Sequence, residues 1–387
     1  MMESLSNETV HQLMSKAAVA PVVTIYAPMH RSAAPPNMTE DQIRLKNLIN
    51  QAAHKLATLP NGERLAKALR RKYNELLSDR SFWDSQTDGL LICATPDFIR
   101  LFQLPIDTAE HVTVNERFHL APIFSLLADQ QSFYTLVLAQ HNPRLYKADL
   151  YGLHDAGLEL PANLETALGI DENNQKSEQG RSSSGSDGDT ANFNGRGGAR
   201  DPRPEDRLHF LRMIDEQIMK HADRSLPLLL AGVDAEISEY RELSKYQHIL
   251  PEHLAGNYTD IPEPKLFDHA LRAFRQSVVM HEHEAVLDRY ERVHGTNPQL
   301  AANDDMAAAA AAEEGRVDTL VVGMSRFTTD SVRDNMEPTT VLEFSDDNDD
   351  ELVNQTAQLV WSSGGRVVNI ESEKLPLNVR MHAILRY

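Results

Sequence analysis

A chain of 387 residues, 41% hydrophobic and 25% charged, is too long for one ordinary core and has the make-up of two or three globular domains. Its formal net charge of −19 excludes a surface that is basic throughout, as a general nucleic-acid platform would be. No DNA partner is expected, although screening over about 10 Å leaves room for a local basic tip on an acidic body. The single cysteine, Cys93, excludes an intramolecular disulfide and a cysteine-rich zinc site. No apolar run reaches the length of a membrane span, and residues 1–10 are too polar for a secretory signal, so the chain is expected in the cytoplasm without a membrane partner.

In chain order, residues 22–26 (Val-Val-Thr-Ile-Tyr), closed by Pro28, predict a strand. Ile43, Leu45, Leu48 and Ile49, then Leu56, Leu65, Leu69, Leu76 and Leu77, recur at helical spacing. They predict two long helices hinged at Pro60-Asn61-Gly62. Strands are expected over 89–94 and 99–104, which completes a mixed α/β domain over residues 1–124. A second domain, 125–258, opens on an apolar strand over 133–139, a turn at His141-Asn142-Pro143-Arg144 and a strand over 145–150. Order resumes at Pro204, a good helix start, with Leu208, Leu211, Ile214, Ile218 and Met219 on one face. A strand over 226–233 and a polar helix over 235–246 follow. The third domain, 259–387, begins with one long helix over 266–293, striped by Phe267, Leu271, Phe274, Val278 and Val279. The alanine run 307–312 predicts a helix. Strands are expected at 317–322 and 367–370, with a helix over 352–361 between them. The fold class is α/β: three mixed α/β domains, the middle one carrying a long loop.

That loop, 171–203, holds one aromatic, Phe193, and almost nothing else apolar. Such a composition cannot offset the entropy of ordering, so disorder is expected. As a flexible chain its roughly 33 residues would span about 30 Å. Arg181, Arg196, Arg200, Arg203 and Arg207 outnumber its one lysine, Lys176. Planar guanidinium forks suit phosphates and bases, and glycines let a backbone approach RNA closely. Asp187, Asp189, Asp201, Glu205 and Asp206 support the alternative of a tolerated surface insertion.

Other constellations point to ordinary surface. His281 and His283 stand two apart on a helix and diverge, where a metal pair needs i and i+4. The pattern predicts a solvated face, with intrahelical ion pairs involving Asp288 and Arg289. Gly323-Met324-Ser325 lacks the closing glycine of a nucleophile elbow. The acidic run 346–350 lacks the ligand spacing of a calcium loop. No metal and no cofactor are expected.

The run Asn194-Gly195-Arg196-Gly197-Gly198-Ala199-Arg200, set between a strand pair and a long amphipathic helix, resembles the loop of archaeo-eukaryotic release factors. In the third segment, a long helix precedes the strand at 317–322, then Gly364-Gly365-Arg366-Val367-Val368. This order is similar to the C-terminal domain of release factors and Pelota. By residues 125–387 the chain resembles the bacterial archaeo-eukaryotic release factor-like family. The resemblance implies a ribosome partner, with the first domain at the 16S rRNA decoding region and the loop at the 23S rRNA peptidyl transferase centre. It also implies that the third domain contacts the stalk base or elongation factor Tu. In such factors a Gly-Gly-Gln tip helps water attack peptidyl-tRNA, the glutamine backbone amide stabilising developing charge. Gly197 and Gly198 match the two glycines, and Ala199 stands where glutamine would. The implied RNA-contact set is Asn194, Gly195, Arg196, Gly197, Gly198, Ala199, Arg200 and Arg203, with no catalytic residue. Three readings remain open: a hibernation factor that occupies the A site of idle or stalled ribosomes without hydrolysis, a rescue hydrolase, and a non-ribosomal acidic scaffold.

Overall fold

The computed structural model describes residues 5–16, 21–31, 37–106, 108–128, 132–149, 151–163, 204–324, 348–372, 375 and 379–387. The first sheet is built on β1 (Val22–Pro28), a β-branched run buried along nearly its whole length. It pairs antiparallel with β2 (Gly89–Ala94) and with β4 (His111–Asn115), and β3 (Ile99–Leu104) adds to β2. Helices α2 (Asn37–Leu56) and α3 (Gly62–Leu77) form the predicted hairpin. Leu45, Leu48, Ile49, Leu56, Leu65, Leu69 and Tyr73 pack with Val23, Ile25, Leu90 and Ile92 of the sheet. Asn61 turns the hairpin with φ of 60°. A Cβ on Gly62 would fall 1.9 Å from the Leu56 carbonyl oxygen, so only glycine lets the second helix start there. Two short helices, α1 (Asn7–Lys16) and α4 (Arg80–Asp84), were not evident from the apolar pattern.

Helix α5 (Ala121–Ala128) crosses the expected boundary between residues 124 and 125. Its sequence, Ala-Pro-Ile-Phe-Ser-Leu-Leu-Ala, is apolar on all sides and therefore shows no stripe. The middle sheet then takes β5 (Phe133–Val137), β6 (Arg144–Ala148) and β7 (Leu153–Asp155) as an antiparallel meander. After α6 (Pro204–His221), β8 (Leu228–Gly232) joins β5 in parallel. After α7 (Asp234–Leu243), β9 (Ile249–Ala255) joins β8 in parallel, giving the order β7-β6-β5-β8-β9. Phe210, Leu211, Ile214, Ile218, Ile237 and Tyr240 of α6 and α7 bury one face of this sheet.

The single helix expected over 266–293 is interrupted. Helix α8 (Glu263–Phe274) passes through a π-helical turn over 275–279 into α9 (Met280–Thr296). A strict period of 3.6 from Phe274 would bury positions near 285 and 288. Ala285 and Asp288 are exposed, whereas Val286 and Tyr290 are buried. One residue's worth of extra winding shifts the stripe. The side chain of Met280, expected in packing, lies outside the described residues. Helix α8 packs on β9, and Phe274 stacks on Phe133 at 4.1 Å between ring centres, so this helix lies against the middle sheet rather than the third.

The third sheet runs β10 (Ala301–Ala302), β13 (Met381–Leu385), β11 (Val317–Met324), β12 (Arg366–Glu371), with β11 and β12 parallel. The alanine-rich α10 (Asp305–Glu313), capped by the Asp304 side chain, and α11 (Asn348–Ser362) pack on it. The acidic residues 346 and 347 lie outside the described residues. The chain divides into two compact units, residues 1–130 with 282–387, and residues 131–281. The first unit is discontinuous because α5 packs on α11 and β12. Among the described residues no helix is long and apolar enough to cross a membrane.

Candidate functional site

The parallel strands β5, β8 and β9 give the middle unit two distinct edges, and in sheets of this kind crevices form beyond the carboxyl ends. Three sets of contacts locate the chain around that edge. Past the end of β5, the Asn142 amide donates to Ala162 O at 2.7 Å, and His141 bridges Asn163. Gln140, in the same turn, donates to Glu236 in the first turn of α7. Arg207, in the first turn of α6, forks onto Glu239, its Nε lying 2.6 Å from Oε2 while Nη2 donates to Oε1. At the other end of α6, the Asp223 amide donates to the hydroxyl of Tyr134 at the start of β5. Helix α6 therefore runs from the carboxyl edge back to the amino edge. Residues 163 and 204 both lie at the carboxyl edge.

All eight residues of the expected RNA-contact set, Asn194, Gly195, Arg196, Gly197, Gly198, Ala199, Arg200 and Arg203, fall between these two ends and lie outside the described residues. The expected disorder of 171–203 falls outside them as well. Arg207, counted with the loop's arginines, is instead held by Glu239, whose hydrogen bond raises the guanidinium pKa further. The proton balance of the edge is set by burial. The Glu236 carboxyl is pushed up by desolvation and by Glu239, against the opposing pull of Gln140 and Arg207. Close approach of strands also shapes this edge. A Cβ on Gly232 would sit 3.0 Å from Leu138 O, while the Leu138 amide donates to Ala231 O at 2.7 Å. His253 Nε2 lies 3.2 Å from the Asp234 carboxylate at the start of α7. The described part of the edge is thus a rim in which Asp234, Glu236 and Glu239 stand with Arg207 and His253.

Other sequence expectations resolve differently. His281 is exposed and His283 half-buried on α9. Among the described residues no group of three metal-ligating side chains comes together. Charges around them pair across elements: Glu282 with Arg366 at 2.9 Å and Arg289 with Asp318 at 2.9 Å. Sequence reading missed a buried polar knot under α7. Asp215 accepts from Tyr240 Oη at 3.1 Å, from Ser244 Oγ at 2.5 Å and from the Lys245 amide. Asp215 is four residues before Met219 on a helix that is polar outside, so nothing local marks it as buried.

The middle unit is similar to one described family. The model of bacterial archaeo-eukaryotic release factor family 7 matches residues 133–275, a stretch that spans both ends of the segment and nearly the whole unit. No curated protein matches the chain. Among solved structures, Archaeoglobus fulgidus Pelota is 11% identical, covering 77% of this chain and 79% of that one, with a TM-score of 0.35. The archaeal translation termination factor aRF1 is 13% identical over 99% of each chain, with a TM-score of 0.22. An archaeal Pelota from a ribosome-bound assembly with ABCE1 is 10% identical, covering 100% of this chain and 95% of that one, with a TM-score of 0.37. What the comparison defines is a likeness of residues 133–275 to the bacterial archaeo-eukaryotic release factors of family 7.

Proposed function

We propose that this chain is a ribosome-associated translation factor that occupies the A site of idle or stalled ribosomes and parks them without cleaving peptidyl-tRNA. The observation that carries the reading is the family match over 133–275, because that stretch includes Gly197-Gly198-Ala199 between two ends fixed at one edge of a rigid sheet. The glycines keep the backbone freedom of a close approach to RNA. Ala199 keeps the backbone N–H that would face a developing oxyanion, but it has no side-chain amide to order a water. In this reading the first domain meets 16S rRNA at the decoding region and the segment meets 23S rRNA. The third domain meets the stalk base or elongation factor Tu. No cofactor takes part, and the protein is cytoplasmic.

The test has two parts. Purified chain is sedimented with vacant ribosomes across a salt series, and then incubated with ribosomes carrying peptidyl-tRNA to follow peptide release. Co-sedimentation without release above the ribosome-only rate is the expected result. Release that vanishes in Gly197→Ala/Gly198→Ala would make the protein a rescue hydrolase. Failure to sediment at any salt would leave an acidic scaffold.

A further inference from the structure

The charge of the chain is unevenly placed. Between residues 37 and 80, nine Lys/Arg stand against five Asp/Glu, in a protein of net charge −19. The excess concentrates on α3. Its apolar positions, Leu65, Leu69, Tyr73 and Leu76, are buried. The 3.6-residue period therefore leaves Arg64, Lys67, Arg70 and Arg71 outside, over about 10 Å of helix axis. Arg64, Lys67 and Arg71 have side chains that are 69%, 72% and 80% exposed. Each has an acidic neighbour: Asp97 at 3.6 Å from Arg64, Glu63 at 2.7 Å from Lys67 and Glu75 at 3.7 Å from Arg71. Pairs this exposed are screened by solvent and hold little, so the cations can turn to a stronger anion.

We propose that the outer face of α3, formed by Arg64, Lys67, Arg70 and Arg71, is a docking surface for the phosphate backbone of structured RNA. The proposal deepens the ribosomal reading and rests on it: it assigns the first domain's RNA contact to named side chains of one helix face, independent of residues 194–203. Charge complementarity selects a polyanion, and guanidinium forks match phosphate oxygens in pairs. A membrane surface does not fit, because a helix that lies on lipid must turn its apolar face outward. Here that face is spent on the core. The contact carries no sequence information, since backbone contacts position rather than specify.

The test uses the full chain and two probes, vacant ribosomes and a 20-base-pair RNA duplex, each titrated from low to physiological salt. Removing four phosphate contacts should flatten the slope of log affinity against log salt by about 3.6, at about 0.9 per contact. The variant Arg64→Gln/Lys67→Gln/Arg70→Gln/Arg71→Gln is therefore expected to show that loss on both probes, with affinity down at least tenfold. A charge-matched control, Arg212→Gln/Lys220→Gln/Arg224→Gln/Arg292→Gln, alters exposed cations elsewhere and should keep most of the slope. Thermal unfolding of both variants checks that the fold is retained. Ribosome binding by the wild-type chain with an unchanged slope in the α3 variant overturns this proposal and leaves the ribosomal reading standing. Absence of wild-type ribosome binding overturns the ribosomal reading, and this proposal with it. Competition by polyglutamate as effective as that by duplex would assign the face to an acidic protein and likewise overturn it.

Discussion

His111, at the start of β4, and His119, a few residues after that strand, have ring centres 5.4 Å apart and are both nearly closed to solvent. Burial pushes His111 down to about 4, helped by the positive charge of Lys55, and pushes His119 down to about 3, helped by His111. In the unfolded chain both take a proton near pH 6.5. Between that value and about pH 4 the unfolded state therefore binds more protons than the folded one, and stability falls as the pH falls. Each histidine contributes up to about 1.4 kcal/mol per pH unit in this window and nothing above it. Urea unfolding of the wild type at pH 7 and pH 5 should show this loss, and His111→Gln/His119→Gln should reduce it. Equal pH dependence in both proteins would rule the pair out as its source. Gly62 is legible in the sequence as a turn residue, yet only the 1.9 Å approach to Leu56 O explains why the turn takes no side chain.

At the scale of elements, α6 and α7 are tied where the undescribed segment 164–203 rejoins the fold. Arg207 neutralises Glu239 and lies near Glu236, whose carboxyl is already pushed up by burial. Arg207→Gln leaves two acidic groups beside one another and unpins the first turn of α6. Amide exchange over residues 205–208 is expected to accelerate about tenfold, since local opening reports local stability, while exchange in β8 stays unchanged. An unaltered first turn would show that packing of Phe210 and Leu211 alone holds it. Apolar runs marked β2, β3 and β8 in the sequence because buried strands need little else. β9 was missed because Ile-Leu-Pro-Glu-His-Leu-Ala carries proline and charge, which an edge strand tolerates and a central one does not. The π turn at 275–279 was missed because an apolar stripe does not register one extra residue of winding until the helix's partners are known.

At the scale of the whole molecule, the first compact unit is closed by a buried amide. Asn354 of α11 is fully buried. Its Oδ1 accepts from the Leu120 and Ala121 amides at 2.8 and 3.2 Å, and its Nδ2 donates to Phe118 O at 3.0 Å. Gln358 donates to the same carbonyl, and Phe124 stacks on Trp361 with 5.0 Å between ring centres. The side chain caps α5 from more than 230 residues away. Asn354→Leu strands the two amides at about 1–3 kcal/mol each. It should lower the unfolding midpoint of residues 1–130 with 282–387 and spare that of 131–281. Unfolding followed separately by tryptophan emission, from Trp83 and Trp361 of the first unit, checks this, and an unmoved midpoint would refute it.

Local order was open to reading from the sequence alone: the hairpin of α2 and α3, the apolar strands, the alanine-rich helix and the glycine-arginine run that suggested a family. These follow from periodicity and from side-chain conformational preference, which act over a few residues. Tertiary structure alone decided that 117–128 docks on 348–371, that α8 lies against the middle sheet, and that residues 163 and 204 meet one edge of three parallel strands. Those outcomes depend on which distant surface buries a given face, and hydrogen-bond partners such as Asn354 and Phe118 leave no trace in the local pattern until the chain has closed on itself.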